Sequence, residues 1–158
     1  MDNLSEADRK RAMQAVKSEK TKLENKVSKE LWKRGLRFRR NVKNIKGKPD
    51  IAIKKYKTVI FIDSCFWHGC ELHCILPVSN KDYWHSKIDR NKLRDIEITN
   101  YYRKNGWNIL RIWEHEVKGD FEKSIKRTID FIENASTRPP EHQILASYAK
   151  RDIHECQK

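Results

Sequence analysis

Apolar residues along this chain recur with periods that separate helices from strands. Leu23, Val27, Leu31 and Trp32 stand at helical spacing behind Thr21-Lys22-Leu23-Glu24, a capping-box signature, and the segment stops at Gly35. Gly47-Lys48-Pro49 predicts a turn, Asp50-Ile51-Ala52-Ile53 a strand, Lys54 to Lys57 a second turn, and Thr58 to Asp63 a buried strand. Strands this close in sequence predict a hairpin with acids near its open end. Asn80 is placed to cap a long helix running to Lys104, with Gly106 as its stop. Trp107 to Trp113 reads as a further strand, and Phe121, Ile125, Ile129 and Ile132 stripe a last helix. Arg138-Pro139-Pro140 breaks the pattern ahead of a polar tail. The order of elements predicts an α/β fold, a mixed central sheet with helices on both faces.

Length and charge narrow this picture. A chain of 158 residues is one domain with a single good core. It divides into a basic N-terminal arm over 1–20, a folded body over 21–135 and a polar tail over 136–158. Met13 and Val16 are the main apolar residues of the arm, which can be a short helix from Ser5 or a segment that orders on a partner. Thirty-five Lys and Arg against 22 Asp and Glu give a formal net charge of +13. That excess implies a polyanionic partner, with nucleic acid as the default; a ribosome-associated or merely solvated basic surface is the blander account. No apolar run is long enough to cross a bilayer, and Met1 to Glu6 lack the apolar core of a signal peptide. The expectation is a cytoplasmic protein, in which clustered cysteines mean metal more often than disulfide. Cys156 stands apart and reads as a free thiol.

The chemistry concentrates between Pro49 and Cys74. Asp50 and Asp63, at the two ends of the hairpin, can reach one divalent cation, as in Mg2+-dependent phosphodiester hydrolases. Many such sites carry Lys two residues after the second acid; here that position is Cys65. His68 is the nearest base for activating water, and its alternative role is that of a metal ligand. Glu24 either serves the capping box or orients His68 or a metal-bound water. Cys65, Cys70 and His73, with Cys74 as a fourth ligand or a substitute, form a dense soft-ligand set that predicts Zn2+. His115, just past the last strand, can close the set from a distance. A closed four-ligand site is structural. Phe66, Trp67 and Trp84 are either core aromatics or a wedge that inserts into a base stack.

With these residues in view, the chain resembles the very short patch repair endonucleases, bacterial enzymes that nick DNA beside the thymine of a T:G mismatch. The resemblance runs from about Met13 to Trp113-Glu114-His115. It is carried by Met13 and Val16, Thr21 and Glu24, Gly47-Lys48-Pro49-Asp50, Phe61-Ile62-Asp63, Cys65-Phe66-Trp67-His68, Tyr83-Trp84, Arg90-Asn91, Arg94-Asp95 and Gly106-Trp107. It implies a restriction-endonuclease-like fold, Mg2+ at Asp50 with the carbonyl of Ile62 nearby, and a structural Zn2+. By motif position His68 would act on the water with support from Glu24. Phe66, Trp67 and Trp84 would be the wedge, and the Met13–Val16 arm would follow the minor groove. Some members carry Thr and His where this chain has Ile62 and Asp63. The role of Asp63 therefore stays open, with a second Mg2+ ligand the choice that the hairpin favours, and the third zinc ligand is His73 or Cys74. The implied partners are T:G-mismatched duplex DNA and, in the cell, mismatch-repair proteins and a repair polymerase. The implied setting is a nucleoid-associated monomer. The rival readings are a sequence-specific restriction-type nuclease and a non-catalytic zinc-stabilised binder of distorted DNA.

Overall fold

The computed structural model describes residues 21–137; the arm with Met13 and Val16, Cys156 and most of the tail lie outside them. Helix α1 (Lys22–Lys33) starts where Thr21 Oγ1 accepts the Glu24 N–H at 3.2 Å. Val27 and Leu31 face inward, but Trp32 does not follow the stripe. It is 50 % exposed, edge-on to Phe38 and beneath the Arg37 guanidinium.

Strands β1 (Arg39–Arg40), β2 (Ile51–Ile53), β3 (Thr58–Asp63) and β4 (Asn108–Trp113) form one sheet in that order. The first two pairings are antiparallel and β3–β4 is parallel. The expected hairpin is β2–β3, joined by a 3-10 turn at Lys54–Tyr56 and closed by Lys57 in the left-handed region at φ 44°. A parallel pair needs a long crossover, and helix α2 (Lys81–Lys104) supplies it. Asn80 precedes α2 in left-handed backbone; its carbonyl accepts the Trp84 N–H, while its side chain makes no capping bond. Two further helices, α3 (Glu114–Gly119) and α4 (Phe121–Thr137), follow β4. The short strand β1 and helix α3 had no counterpart in the sequence pattern.

Alternation along the strands builds two cores. Ile51, Ile53, Ile60, Ile62, Leu110 and Ile112 pack with Val27 and Leu31 of α1, Val117 of α3, and Ile125 and Ile132 of α4. On the opposite face Ala52, Val59 and Phe61 pack with Ile98 and Tyr102 of α2. Helices thus cover both faces of a mixed sheet, as the element order predicts. By the same alternation Asp50, Asp63 and Arg111 fall on the α2 face, among positions otherwise apolar. Among the described residues no helix is long and apolar enough to cross a membrane.

Candidate active site and metal-ligand cluster

Asp50 enters β2 half-buried, and its Oδ2 accepts the Ile62 N–H across the hairpin at 2.7 Å. Burial pushes its carboxyl up to about 7; the Ile62 hydrogen bond works against this, while the charges of Glu24 and Asp63 add to it. Glu24 is buried at the start of α1, and its carboxylate accepts from Asn41 Nδ2 at 3.3 Å. The structure thus brings Glu24 of α1, Asp63 of β3 and His68 of the loop after β3 into electrostatic reach of Asp50.

Asp63, for which the hairpin favours the role of a second Mg2+ ligand, has a guanidinium partner. It is 2 % exposed, and its Oδ2 accepts from Arg111 Nη1 at 2.6 Å. Its Oδ1 stands 3.6 Å from His68 Nδ1, which instead bonds Asp95 Oδ2 at 2.5 Å. Burial pushes Asp63 up despite His68 and Arg111. Burial acts on Asp95 in the same direction, but its bonds to His68 and Arg111 outweigh this and hold its carboxyl below the ordinary range. Asp63, His68, Asp95 and Arg111 line a cavity of about 470 Å3 together with Cys70 and Leu72.

The loop after β3 carries the second constellation. Glu114 Oε2 accepts the Cys65 N–H at 3.1 Å and the Ser64 hydroxyl at 3.2 Å, fastening the start of the loop to α3. Gly69 sits at φ 62°, and a Cβ there would meet Lys92 Cε at 2.3 Å and Ile88 Cγ2 at 2.6 Å. Only glycine allows the loop to lie this close to α2. The ligand atoms of Cys65, Cys70, His73 and His115 lie within 4.8 Å of one another. His115 Nδ1 is 3.3 Å from Cys65 Sγ and 3.6 Å from Cys70 Sγ, and His73 Nδ1 is 3.7 Å from Cys70 Sγ. A tetrahedron with bonds of about 2.0–2.3 Å has edges of roughly 3.3–3.8 Å, so the spacing and the soft donors fit a four-coordinate zinc. Of the two alternatives at 73 and 74, His73 reaches this cluster; Cys74 Sγ lies 3.5 Å from the Phe66 carbonyl. His68 lies outside the cluster.

Phe66, Trp67 and Trp84 are all half-buried and belong to neither core. Their rings touch one another, with centroids 5.0 Å apart for Phe66–Trp67, 5.3 Å for Phe66–Trp84 and 6.0 Å for Trp67–Trp84. Asn91 Nδ2 donates to the Trp67 carbonyl at 2.8 Å and ties this aromatic group to α2. Three residues of the neighbourhood, Asn91, Asp95 and Arg111, are given no chemical role by the sequence, although Asn91 and Asp95 stand in motifs that carry the resemblance. A signal existed for each. Asn91 and Asp95 interrupt the stripe Ile88, Ile98, Tyr102 of α2 at helical spacing, and Arg111 occupies an inward position of β4 beside Ile109. Polar side chains at core-facing positions need partners there.

The chain is similar to known proteins. A family model described as "DNA mismatch endonuclease Vsr" matches residues 1–74. The type II nicking enzyme V.NmeDIP of Neisseria meningitidis serogroup C is 37 % identical over 154 residues, covering 96 % of this chain and 99 % of the relative. The type II nicking enzyme V.HpaIIP of Haemophilus parainfluenzae is 44 % identical over 126 residues, 78 % of this chain and 89 % of the relative. The DNA mismatch endonuclease Vsr of Escherichia coli K12 is 33 % identical over 116 residues, 72 % and 73 %.

Proposed function

We propose, on the premise that this chain belongs to the Vsr family of DNA mismatch endonucleases, that it nicks one strand of duplex DNA beside the thymine of a T:G mismatch, using Mg2+. Family membership makes it a DNA endonuclease; the mismatch, the strand choice and the metal are our reading. The observation that supports it most is Asp50, a half-buried carboxylate with one oxygen engaged by Ile62 N–H and two further acids close by. Its charged form is costly there unless a cation shares the site, and oxygen donors suit Mg2+. Asp50 and the Ile62 carbonyl would hold the ion, which when bound neutralises the scissile phosphate and polarises a water.

The chain's own residues do the rest. With Nδ1–H donated to Asp95, His68 keeps its lone pair on Nε2, the tautomer required to accept a proton from the attacking water. Glu24, beside Asp50, orients that water. Phe66, Trp67 and Trp84 form the wedge, since aromatic rings outside the core and packed on one another can insert at a base step, most cheaply at a mispaired one. The +13 charge supplies affinity for phosphates without regard to sequence. The Cys65, Cys70, His73 and His115 set is assigned to a structural Zn2+.

Nicking of a T:G duplex with Mg2+, over randomised flanks and against the matched duplex, tests this reading. Equal cleavage of matched DNA at a fixed sequence would favour a restriction-type nuclease, and binding without cleavage a recognition module. Two variants divide the roles. His68→Ala is expected to slow single-turnover nicking by about 10²-fold or more while retaining its zinc. Zinc-depleted His68→Ala protein would make His68 a ligand. Trp67→Ala is expected to lose about tenfold or more of its preference for T:G over matched duplex, and less of its overall affinity. A folded variant with undiminished preference would remove Trp67 from the wedge.

A further inference from the structure

We propose that Arg111 is a positioning residue for nicking: its guanidinium ties Asp63 and Asp95 together so that Asp95 presents His68 to the water in one orientation. The inference rests on the assignment of His68 as the proton acceptor. Arg111 stands on the inward face of β4, opposite Phe61 in the parallel register, with its guanidinium carbon 4.9 Å from the Phe61 ring centroid. From there Nη1 reaches Asp63 Oδ2 at 2.6 Å and Nη2 reaches Asp95 Oδ1 at 3.0 Å. The remaining oxygens of the two acids face the same imidazole nitrogen, Asp95 Oδ2 at 2.5 Å and Asp63 Oδ1 at 3.6 Å. The four side chains close a ring: β4 holds two carboxylates, one from β3 and one from α2, and both address His68 on the loop between.

The chemistry of each member gives the ring its direction. A guanidinium is planar, always charged and forked, so it fixes the relative position of two carboxylates as a lysine cannot. Its Nε is buried without a partner among the described residues, so the two Nη arms carry the interaction. Pairing with Arg111 offsets the charge of the deeply buried Asp63, which would otherwise compete with Asp95 for the His68 N–H. Asp63 is thereby assigned to the support of His68 and not to Mg2+. Asp95 is left as the single close acceptor for Nδ1–H, and Nε2 keeps the lone pair. This gives the departure at position 63 a physical partner, the Arg111 guanidinium on the neighbouring strand.

The test compares Arg111→Lys, Arg111→Met and the double variant Asp63→Asn/Arg111→Met with the unaltered protein. It measures T:G duplex affinity, single-turnover nicking at saturating DNA and Mg2+, thermal melting, and the 15N imidazole signals of His68. Arg111→Lys keeps the charge and the fold, and is expected to nick about 10- to 100-fold more slowly at unchanged affinity. Its His68 signals should change from one Nδ1–H tautomer to a mixture. Arg111→Met should melt lower, because it strands a buried carboxylate. The double variant should regain the melting temperature but not the rate. Recovery of the rate with the melting temperature would make Arg111 merely structural, and a normal rate with one His68 tautomer in Arg111→Lys would overturn the proposal. Normal nicking by His68→Ala would instead bring down the assignment beneath it.

Discussion

Asp50→Asn is expected to bind a T:G duplex almost as well as the unaltered protein and to nick it about 10³-fold more slowly, or not detectably. The substitution keeps the shape of the side chain and its capacity to accept the Ile62 N–H, but removes the negative charge that would hold Mg2+. Metal-ion stabilisation of the transition state is worth several kcal/mol, and about 4 kcal/mol is a factor of 10³ in rate. Affinity should survive because basic residues across the surface, and not Asp50, hold the phosphates. Near-normal nicking by purified Asp50→Asn protein, with DNA binding and Mg2+ concentration matched, would rule out this site.

A second measurement on the same variant needs no substrate. The Asp50 carboxyl is raised from 3.8 to about 7 in the folded chain, chiefly by burial. Between those values the folded state binds more protons than the unfolded state, so this group removes stability as pH rises from about 4 through about 7, and no more above that. Asp63, raised in the same direction, adds to the trend, and Asp95, lowered, opposes it. Only the difference between the two proteins isolates Asp50. In zinc-loaded, Mg2+-free protein, Asp50→Asn should gain stability over the unaltered chain progressively across that window, by about 4 kcal/mol at neutral pH. Added Mg2+ should raise the melting temperature of the unaltered chain and not of the variant. A gap independent of pH would mean that Asp50 is better solvated than its surroundings indicate.

The periodic part of the chain was legible because burial imposes periodicity. The stripe of α1, the β2–β3 hairpin, the long α2, β4 and α4 all announce themselves through spacing that the sheet and its two cores require. The zinc-type ligand set was legible because Cys and His at short spacing have few other uses, and His115 because one more ligand was needed. The ring around His68 was not. Asp63, Asp95 and Arg111 come from β3, α2 and β4, and only the crossover that returns α2 over the sheet makes them neighbours. A carboxylate looks the same in sequence whether a metal or a guanidinium answers it, so the hairpin could place Asp63 but not assign its partner. β1 pairs through just two residues and α3 spans six, both too short for a period to show.

Cys70→Ser is expected to purify with most of its zinc missing and to melt about 10 °C lower, with mismatch preference and nicking both impaired. Apart from polar ties to Glu114, Asn91 and Asp95, the loop between β3 and α2 has little else to hold it. Leu72, Ile75 and Val78 are 77 %, 85 % and 83 % exposed, so apolar burial does not fix this segment. Its buried members are Cys65, Gly69 and Cys70, two of which belong to the Cys/His cluster. Zinc would therefore replace the core that the loop lacks, and a serine hydroxyl is a poor substitute for a thiolate on a soft metal. Losing roughly 3 kcal/mol of such a tie shifts melting by about 10 °C in a domain of this size. Function should fall with it, because Phe66, Trp67 and His68 all sit between Cys65 and Cys70 and depend on the loop for their positions. Cys74→Ser is the control: its sulfur faces the Phe66 carbonyl and lies outside the cluster, so it should keep its zinc and melt within about 2 °C of the unaltered protein. Full zinc content and an unchanged melting temperature in Cys70→Ser would remove the metal from the loop. A more damaging Cys74→Ser would move the third ligand from His73 to Cys74.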